Sequence, residues 1–335
     1  MLQAVFAAPH RIVVEEAPIP DPAPGEALVR VAACGICGTD LKINEGHYLG
    51  ALPIVPGHEF AGVVEALGDG VTRVAVGDLV AINPNLPCRR CAFCRTGKPH
   101  LCTASQAVGV TRPGGFAEYC CVPAELLVPV PGDLPLAQAA MMEPVSCCLH
   151  GIDVAGVKPG DSVILLGGGS IGLILLQLSR AAGASFAAVS EPRTEKRKLA
   201  LTLGAEEAVA PEEIASVAQA LPGGGAEIAI ECAGVTAAAR QALSLVRPGG
   251  TVLLFGVCPP GETVALEPYE VFHRELTVRG CYTNPFTDTR ALSLLESGQV
   301  LVEPLISHVY SIEQVEEGIA AVRAGETVKA QVRPG

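Results

Sequence analysis

The stretch Asp161–Pro192, DSVILLGGGSIGLILLQLSRAAGASFAAVSEP, decides the fold class of this chain. An apolar run at 163–166 leads into three glycines with G-x-G-x-x-G spacing, and a helical pattern follows before a second apolar run ends at Glu191. The order strand, glycine turn, helix, strand and acid is typical of a dinucleotide-binding unit, whose pyrophosphate lies on the helix N-terminus. The acid is placed to accept hydrogen bonds from the ribose. The predicted cofactor-binding residues are Gly167, Gly169, Ser170, Ile171, Gly172, Glu191 and Lys196.

The chain on either side of this stretch has two different patterns. Residues before about 148 are rich in strands broken by Gly, Pro and Asp, and their irregular spacing favours a partly open β-barrel. From about 149 strands alternate with helices, with apolar runs at 163–167, 186–190, 228–232 and 251–257. That alternation predicts a doubly wound parallel sheet, so we expect an α/β protein of two domains with an active site in the cleft between them.

A four-cysteine segment, PNLPCRRCAFCRTGKPHLC, lies within this strand-rich region. Cys88, Cys91, Cys94 and Cys102 have the spacing C-x2-C-x2-C-x7-C, which closes a tetrahedron of thiolates around one zinc ion and leaves no open position. A pair of disulfides or chance clustering is the alternative interpretation. A closed site of this kind is structural.

A second metal site is indicated by residues that lie far apart in the sequence. CGICGTD contains Cys37, PGHEFAG contains His58 and Glu59, and MMEPVSCCLHG contains Glu143. One Cys, one His and one or two carboxylates form a catalytic zinc set with a position left for water or substrate. Taken singly, each residue also fits an ordinary polar turn or a small core position. Cys34, in the same segment as Cys37, is the alternative thiol ligand for the zinc ion.

These motifs together resemble the zinc-containing medium-chain alcohol dehydrogenases, nearly from end to end. The family's order and spacing appear in VRVAACGICGTDL, PIVPGHEFAGVVEALGDGV, GDLVAINP, the four-cysteine segment, GGFAEY, VLLGGGSIGL and ECAG. GHE, the Glu–Pro pair at Glu143 and ELTVRGCYTNPFT, from Glu275, resemble the sorbitol, threonine and polyol dehydrogenase branch. The resemblance implies a GroES-like catalytic domain at 1–148 with a structural zinc lobe at 84–104. It also implies a Rossmann domain at 149–285 and a C-terminal return to the catalytic domain at 286–335.

The resemblance also implies roles for single residues. Cys37, His58 and Glu59 would ligate the catalytic zinc, Glu143 would ligate it directly or through water, and Thr39 would pass the substrate proton outward. Lys42 departs from the family, since many relatives have a histidine there that ends the proton relay. The expected activity is hydride transfer between NAD and a secondary alcohol, giving the ketone, with a polyol, cyclitol, amino-alcohol or diol as substrate. The candidate substrate contacts are Lys42, Tyr48, Phe116, Tyr282 and Asn284.

Two other functions stay open at this point. A zinc-dependent NADPH aldehyde reductase fits the same scaffold, and Arg193 and Lys196 near Glu191 allow NADP. A non-catalytic nucleotide-binding relative is the third reading, which the complete open zinc set disfavours. The expected cofactors are therefore two zinc ions per chain and NAD, with NADP as the alternative.

Composition and charge exclude several classes of partner. The 335 residues carry a formal net charge of −12 with no basic tract, so we expect no nucleic-acid partner. We see no signal peptide and no apolar run long enough for a membrane span. The chain has thirteen cysteines, which is an odd number, and five of them are assigned to metal sites. Both facts favour a reducing cytoplasm. The β-forming segment ELTVRGCY predicts a sheet edge that pairs in a homodimer or homotetramer.

Overall fold

A computed structural model describes residues 1–47 and 52–335 of the chain. These residues form two compact units. The first comprises Met1–Ser146, Pro285–Gly298 and Val302–Gly335, and the second comprises Cys147–Asn284 and Gln299–Leu301. The sequence placed the corresponding boundaries after residues 148 and 285.

The elements are named in chain order. The strands are β1 Leu2–Ala8, β2 Arg11–Glu16, β3 Glu26–Ile36, β4 Glu59–Leu67, β5 Leu79–Ile82, β6 Asn85–Leu86, β7 Gln106–Ala107, β8 Tyr119–Pro123, β9 Leu127–Pro129, β10 Ser162–Leu166, β11 Phe186–Ser190, β12 Glu207–Val209, β13 Ala226–Glu231, β14 Val246–Leu254, β15 Thr277–Gly280, β16 Ile306–Tyr310 and β17 Lys329–Val332. The α-helices are α1 Gly38–Asn44, α2 Ala92–Arg95, α3 Leu136–Ala139, α4 Met142–Ala155, α5 Ser170–Ala181, α6 Thr194–Thr202, α7 Ile214–Ala220, α8 Thr236–Leu245, α9 Pro268–His273, α10 Asp288–Glu296 and α11 Val315–Arg323.

The second unit is built on a parallel sheet. Its strands lie in the order β12-β11-β10-β13-β14-β15, and every neighbouring pair is parallel. β10 is buried along its whole length, which agrees with its uninterrupted apolar sequence, since a parallel strand covered on both faces needs apolar residues on both. Ile164, Ala188, Ala229 and Val252 from four of these strands share one core. The predicted doubly wound sheet is confirmed.

The first unit is built on a mainly antiparallel sheet. Its order is β16-β17-β3-β4-β5-β9, and β8 also pairs with β3. Within the described residues β9 and β16 do not pair with each other, so the sheet stays open, as the irregular strand spacing predicted. The eleven-residue β3 lies between β17 and β4. Its alternate residues Val29 and Val31 are buried in the unit's core, together with Phe60 of the neighbouring β4. This strand therefore brings the C-terminal β17 next to the segment that carries the candidate ligands.

The helices are short relative to a lipid bilayer. Across the described parts of the chain, none combines the length and the apolar character that crossing a membrane would require.

Candidate active site and metal centres

The first metal site lies where β3 ends and β4 begins. Because β3 and β4 are antiparallel, with Gly35 opposite Glu59, the end of one strand meets the start of the other. Cys37 follows β3 as the N-cap of α1, while His58 and Glu59 open β4. One ligand atom of each of these three residues lies within 4.8 Å of the others. Cys37 and His58, which are 21 positions apart in the sequence, thus converge as predicted.

The immediate surroundings of His58 support a metal-ligating role. Asp40, fully buried, accepts a hydrogen bond from the Cys37 N–H at 2.8 Å, and its other oxygen lies 3.6 Å from His58 Nδ1. Burial lowers the pKa of His58, but the negative charges of Cys37 and Asp40 outweigh it and leave that pKa well above its usual value. Carboxylate–histidine pairs of this kind orient metal ligands. Sequence analysis did not assign Asp40 a role, although its place three residues after Cys37 at a helix start was a usable signal.

The three donors fit zinc. A thiol, an imidazole and a carboxylate are the donor types of open zinc sites, and together they leave a fourth position for a substrate oxygen. His58 and Glu59 are buried, and their donor atoms lie with that of Cys37 within 4.8 Å of one another. A metal ion would satisfy donor atoms that are otherwise costly to bury.

Three other predicted residues lie around this group. Thr39 Oγ1 is 3.8 Å from Cys37 Sγ, and Lys42 is half-buried three residues further along α1. Glu143 is buried in the first turn of α4. It is not one of the three residues whose donor atoms already lie together, so its ligation of zinc stays a prediction.

Lys329 is a site residue that sequence analysis missed. It is the first residue of β17, is 5% exposed, and its ammonium forms an ion pair with Glu59 Oε2. Burial alone would lower the pKa of Lys329, but the negative charges of Glu59 and Cys37 raise it well above its usual value. A lysine near the C-terminus carries no sequence signal of its own, and its place here follows only from the strand order.

The four-cysteine segment forms the second metal site. Ligand atoms of Cys88, Cys91, Cys94 and Cys102 all lie within 4.8 Å of one another, and the residues are half-buried. Cys91 Sγ and Cys94 Sγ are 3.5 Å apart and all four thiols are free, so the alternative interpretation as disulfides is not supported. The backbone N–H of Cys94 lowers the pKa of Cys91 to about 6, which favours the thiolate that a metal needs. Four thiols with no other donor fit a structural zinc ion.

The glycine turn of the second unit has the geometry of a nucleotide site. Gly167 directly follows β10 and has φ +125°, in the left-handed region that favours glycine. A Cβ on Gly172 would overlap the carbonyl oxygen of Gly167, so the turn closes against α5 only because residue 172 has no side chain. Ser170 and Ile171 form the first turn of α5.

Glu191 lies beside this turn, at the end of β11. Its Oε2 accepts a hydrogen bond from the Gly168 N–H at 2.9 Å, and its Oε1 accepts one from the Arg193 N–H at 2.9 Å. A cavity of ≈ 1070 Å³ opens here and includes Lys196, whose pKa is lowered by burial. The cavity is lined by Gly167, Gly169, Glu191, Lys196, Glu212 and Arg240, among others. Gly168 and Arg240 were not assigned roles from the sequence.

The predicted substrate contacts lie in different surroundings. Tyr48 lies outside the described residues. Phe116 is fully buried in the core of the first unit, with its ring centroid 6.4 Å from that of Phe6, and its role as a substrate contact stays a prediction. Tyr282 is 57% exposed and Asn284 is 2% exposed, and both stay predictions.

Comparisons with known proteins agree with these two units. The alcohol dehydrogenase GroES-like domain matches residues 23–132, and the zinc-binding dehydrogenase domain matches residues 170–297. D-arabinitol dehydrogenase 1 of Uromyces fabae is 32% identical over 100% of this chain and 97% of its own. D-altritol 5-dehydrogenase of Agrobacterium fabrum is 35% identical over 90% of each.

A solved structure extends the likeness to the fold. A zinc-binding dehydrogenase of Sinorhizobium meliloti, bound to NADP, is 39% identical, has a TM-score of 0.95 and covers 99% of both chains. The motifs, the open and closed donor sets and these relatives lead to one assignment. The chain belongs to the zinc-containing medium-chain alcohol dehydrogenase family and is an oxidoreductase of that family.

Proposed function

We propose that this protein transfers a hydride between NAD and a secondary alcohol with neighbouring hydroxyl groups, giving the ketone. The observation that carries the proposal is the convergence of Cys37, His58 and Glu59 to within 4.8 Å. The donor set contains one thiolate and one carboxylate in place of two thiolates, which was the sequence basis for a polyol-type enzyme. Two relatives that span nearly the whole chain are named as dehydrogenases of sugar alcohols, and this supports the same substrate class.

The side chains around the open site have different proposed roles. A zinc ion held by Cys37, His58 and Glu59 supplies a Lewis acid for the substrate oxygen. Asp40 fixes the orientation of His58, and Glu143 is proposed to complete the set directly or through water. Thr39, beside Cys37, takes the proton of the substrate hydroxyl, and Lys42 follows it on the same face of α1, since residues three apart are neighbours on a helix. Lys42 could replace the histidine of other relatives as the exit of the proton path only in its neutral form, since an ammonium group has no acceptor for a proton.

NAD is the proposed nucleotide. The support is Glu191, whose buried carboxylate is fixed by two backbone N–H groups at the edge of the cavity, where it can accept from ribose hydroxyls. The alternative is an NADPH-dependent aldehyde reductase. It draws support from Lys196 and Arg240, two cations that line the same cavity, and from the relative that binds NADP.

The remaining proposals concern the second zinc, assembly and location. The four-cysteine segment would hold a structural zinc ion, giving two per chain. β15 lies at the end of the parallel sheet, and Val278 on it is 42% exposed, which supports pairing of two copies along this edge in a homodimer or homotetramer. All thirteen cysteines lie in the described part of the chain and none of them is in a disulfide there, which supports a reducing, cytoplasmic compartment.

The test is a substrate panel. Purified protein is assayed with sugar alcohols, cyclitols, diols and amino-alcohols, with NAD and NADP in parallel, by the absorbance of the reduced nicotinamide. We expect NAD-dependent oxidation of at least one polyol, and its loss in the His58→Ala variant while NADH binding is retained. A zinc-loaded wild-type protein that oxidises none of these alcohols contradicts the proposal. Reduction of aldehydes with NADPH alone would favour the alternative.

A further inference from the structure

Lys329 and Glu59 form a buried ion pair directly behind the open metal site. Lys329 is 5% exposed and Glu59 is 1% exposed. The nearest contact of the ammonium is with Glu59 Oε2. Glu59 is one of the three residues whose donor atoms lie within 4.8 Å of one another. A cation of the protein therefore occupies the same small volume as the donors of a divalent ion.

The fold makes room for this pair through a single glycine. β17, β3 and β4 are neighbours, with Gln331 opposite Gly35 and Gly35 opposite Glu59. Lys329 lies two residues before Gln331, so its side chain is on the same face of the sheet. A Cβ on Gly35 would overlap Glu59 Oε2 and lie 2.9 Å from Lys329 Cε. The lysine thus reaches across β3 to the glutamate only because residue 35 has no side chain.

Burying this ion pair costs free energy of folding, and filling the space alone would not require two charges. Two charges taken out of water lose solvation that their mutual attraction only partly restores, and an apolar pair of the same volume is often at least as stable. Glu59 also belongs to the metal-donor group, so any ion bound there is opposed by the charge of Lys329. The repulsion between the charge of Lys329 and a bound divalent ion is strong, because the two would lie a few ångströms apart at an effective dielectric of about 20.

We propose that Lys329 is a positioning residue that holds Glu59 by one carboxylate oxygen and lowers the affinity of the Cys37–His58–Glu59 site for zinc. The inference rests on the proposed function, since it needs the open zinc site. In such a site Glu59 offers one oxygen to the metal. The metal also exchanges more readily than it would from the same three donors without Lys329.

The experiment measures zinc affinity. The full-length protein is equilibrated with a series of competing chelators, and its zinc content is read by atomic absorption. His58→Ala identifies which of the two bound ions belongs to this site. In Lys329→Met we expect the dissociation constant of that ion to fall by about tenfold or more, because the opposing charge is gone. In Lys329→Arg, which keeps the charge, we expect it to stay within about threefold of wild type.

Control variants separate charge from packing. Lys198→Met removes a lysine that pairs with Glu195 on the surface, and it should leave zinc affinity unchanged. If Lys329→Met does not fold, Lys329→Gln, which keeps a hydrogen-bond donor without the charge, is measured in the same way. Unchanged or weaker zinc binding without the charge would overturn the inference, since a purely structural role predicts a looser site. Equal zinc content in wild type and His58→Ala would instead overturn the proposed function and the inference together.

Discussion

We expect the choice between NAD and NADP to depend on the Glu191 carboxylate. Both of its oxygens accept hydrogen bonds from backbone N–H groups, of Gly168 and Arg193, each at 2.9 Å. These hydrogen bonds hold the carboxylate in place at the edge of the nucleotide cavity. Replacing Glu191 by Ser removes this charge and both acceptors, and we expect the preference for NAD to narrow or invert.

The magnitude follows from Coulomb's law. Two unit charges roughly 5 Å apart repel by about 3 kcal/mol at an effective dielectric of about 20. Since about 1.4 kcal/mol is a factor of ten, a 2′-phosphate facing Glu191 should be disfavoured roughly a hundredfold in kcat/KM. Lys196 lines the same cavity and offsets part of the repulsion, so this is the upper end of the expected ratio.

The assay compares kcat/KM for the two nucleotides with one alcohol substrate. Glu191→Gln keeps the shape and a carbonyl acceptor without the charge, so it separates repulsion from hydrogen bonding to the ribose. Glu195→Gln removes the same charge from an exposed position nearby and should leave the ratio unchanged. A wild-type protein that uses NADP as well as NAD, or a Glu191→Ser variant with an unchanged ratio, would refute the assignment of Glu191 to the ribose.

Three further predictions concern the metal sites and assembly. Cys37→Ser or His58→Ala should lower turnover by at least about a hundredfold while fluorescence titration shows intact NADH binding; near-normal turnover after chelation would contradict this. Cys91→Ser should release one zinc per chain and lower Tm by several degrees with hydride transfer otherwise retained, and unchanged Tm and metal content would show that the segment holds no zinc. Val278→Lys should place like charges opposite each other along β15 and shift the protein toward monomer in sedimentation velocity; a concentration-independent monomer of the wild type would refute pairing there.

The parts of the fold that were predicted correctly are those with local signals. The apolar run at 163–166 corresponds to the buried β10, Ser162–Leu166, and the periodic segment after it to α5. Glycine spacing fixes the turn between them because a side chain at Gly172 would overlap the carbonyl of Gly167. These signals depend on residues close in sequence, so a single chain is enough to interpret them.

The open metal site was predicted by a different kind of signal. Cys37, His58 and Glu59 lie in motifs whose spacing resembles the family, and their convergence depends on the antiparallel pairing of β3 with β4. The same reasoning could not show the surroundings of Phe116, because a motif position does not tell which side chains face the core. Its ring is buried near Phe6, and only the folded chain decides that.

Lys329 shows why part of the site lies beyond sequence reasoning. The residue is almost three hundred positions from Gly35, and nothing in KAQV distinguishes a buried counter-ion from a surface lysine. Its role follows from three facts that exist only in the folded chain: β17 pairs with β3, Gly35 faces Glu59, and all three residues lie on one face of the sheet. Gly35 belongs to the same CGICGTD motif as the ligand Cys37, so the motif specifies two things at once. It places a thiol at the candidate metal site, and through its first glycine it leaves the space in which a distant lysine reaches the Glu59 carboxylate.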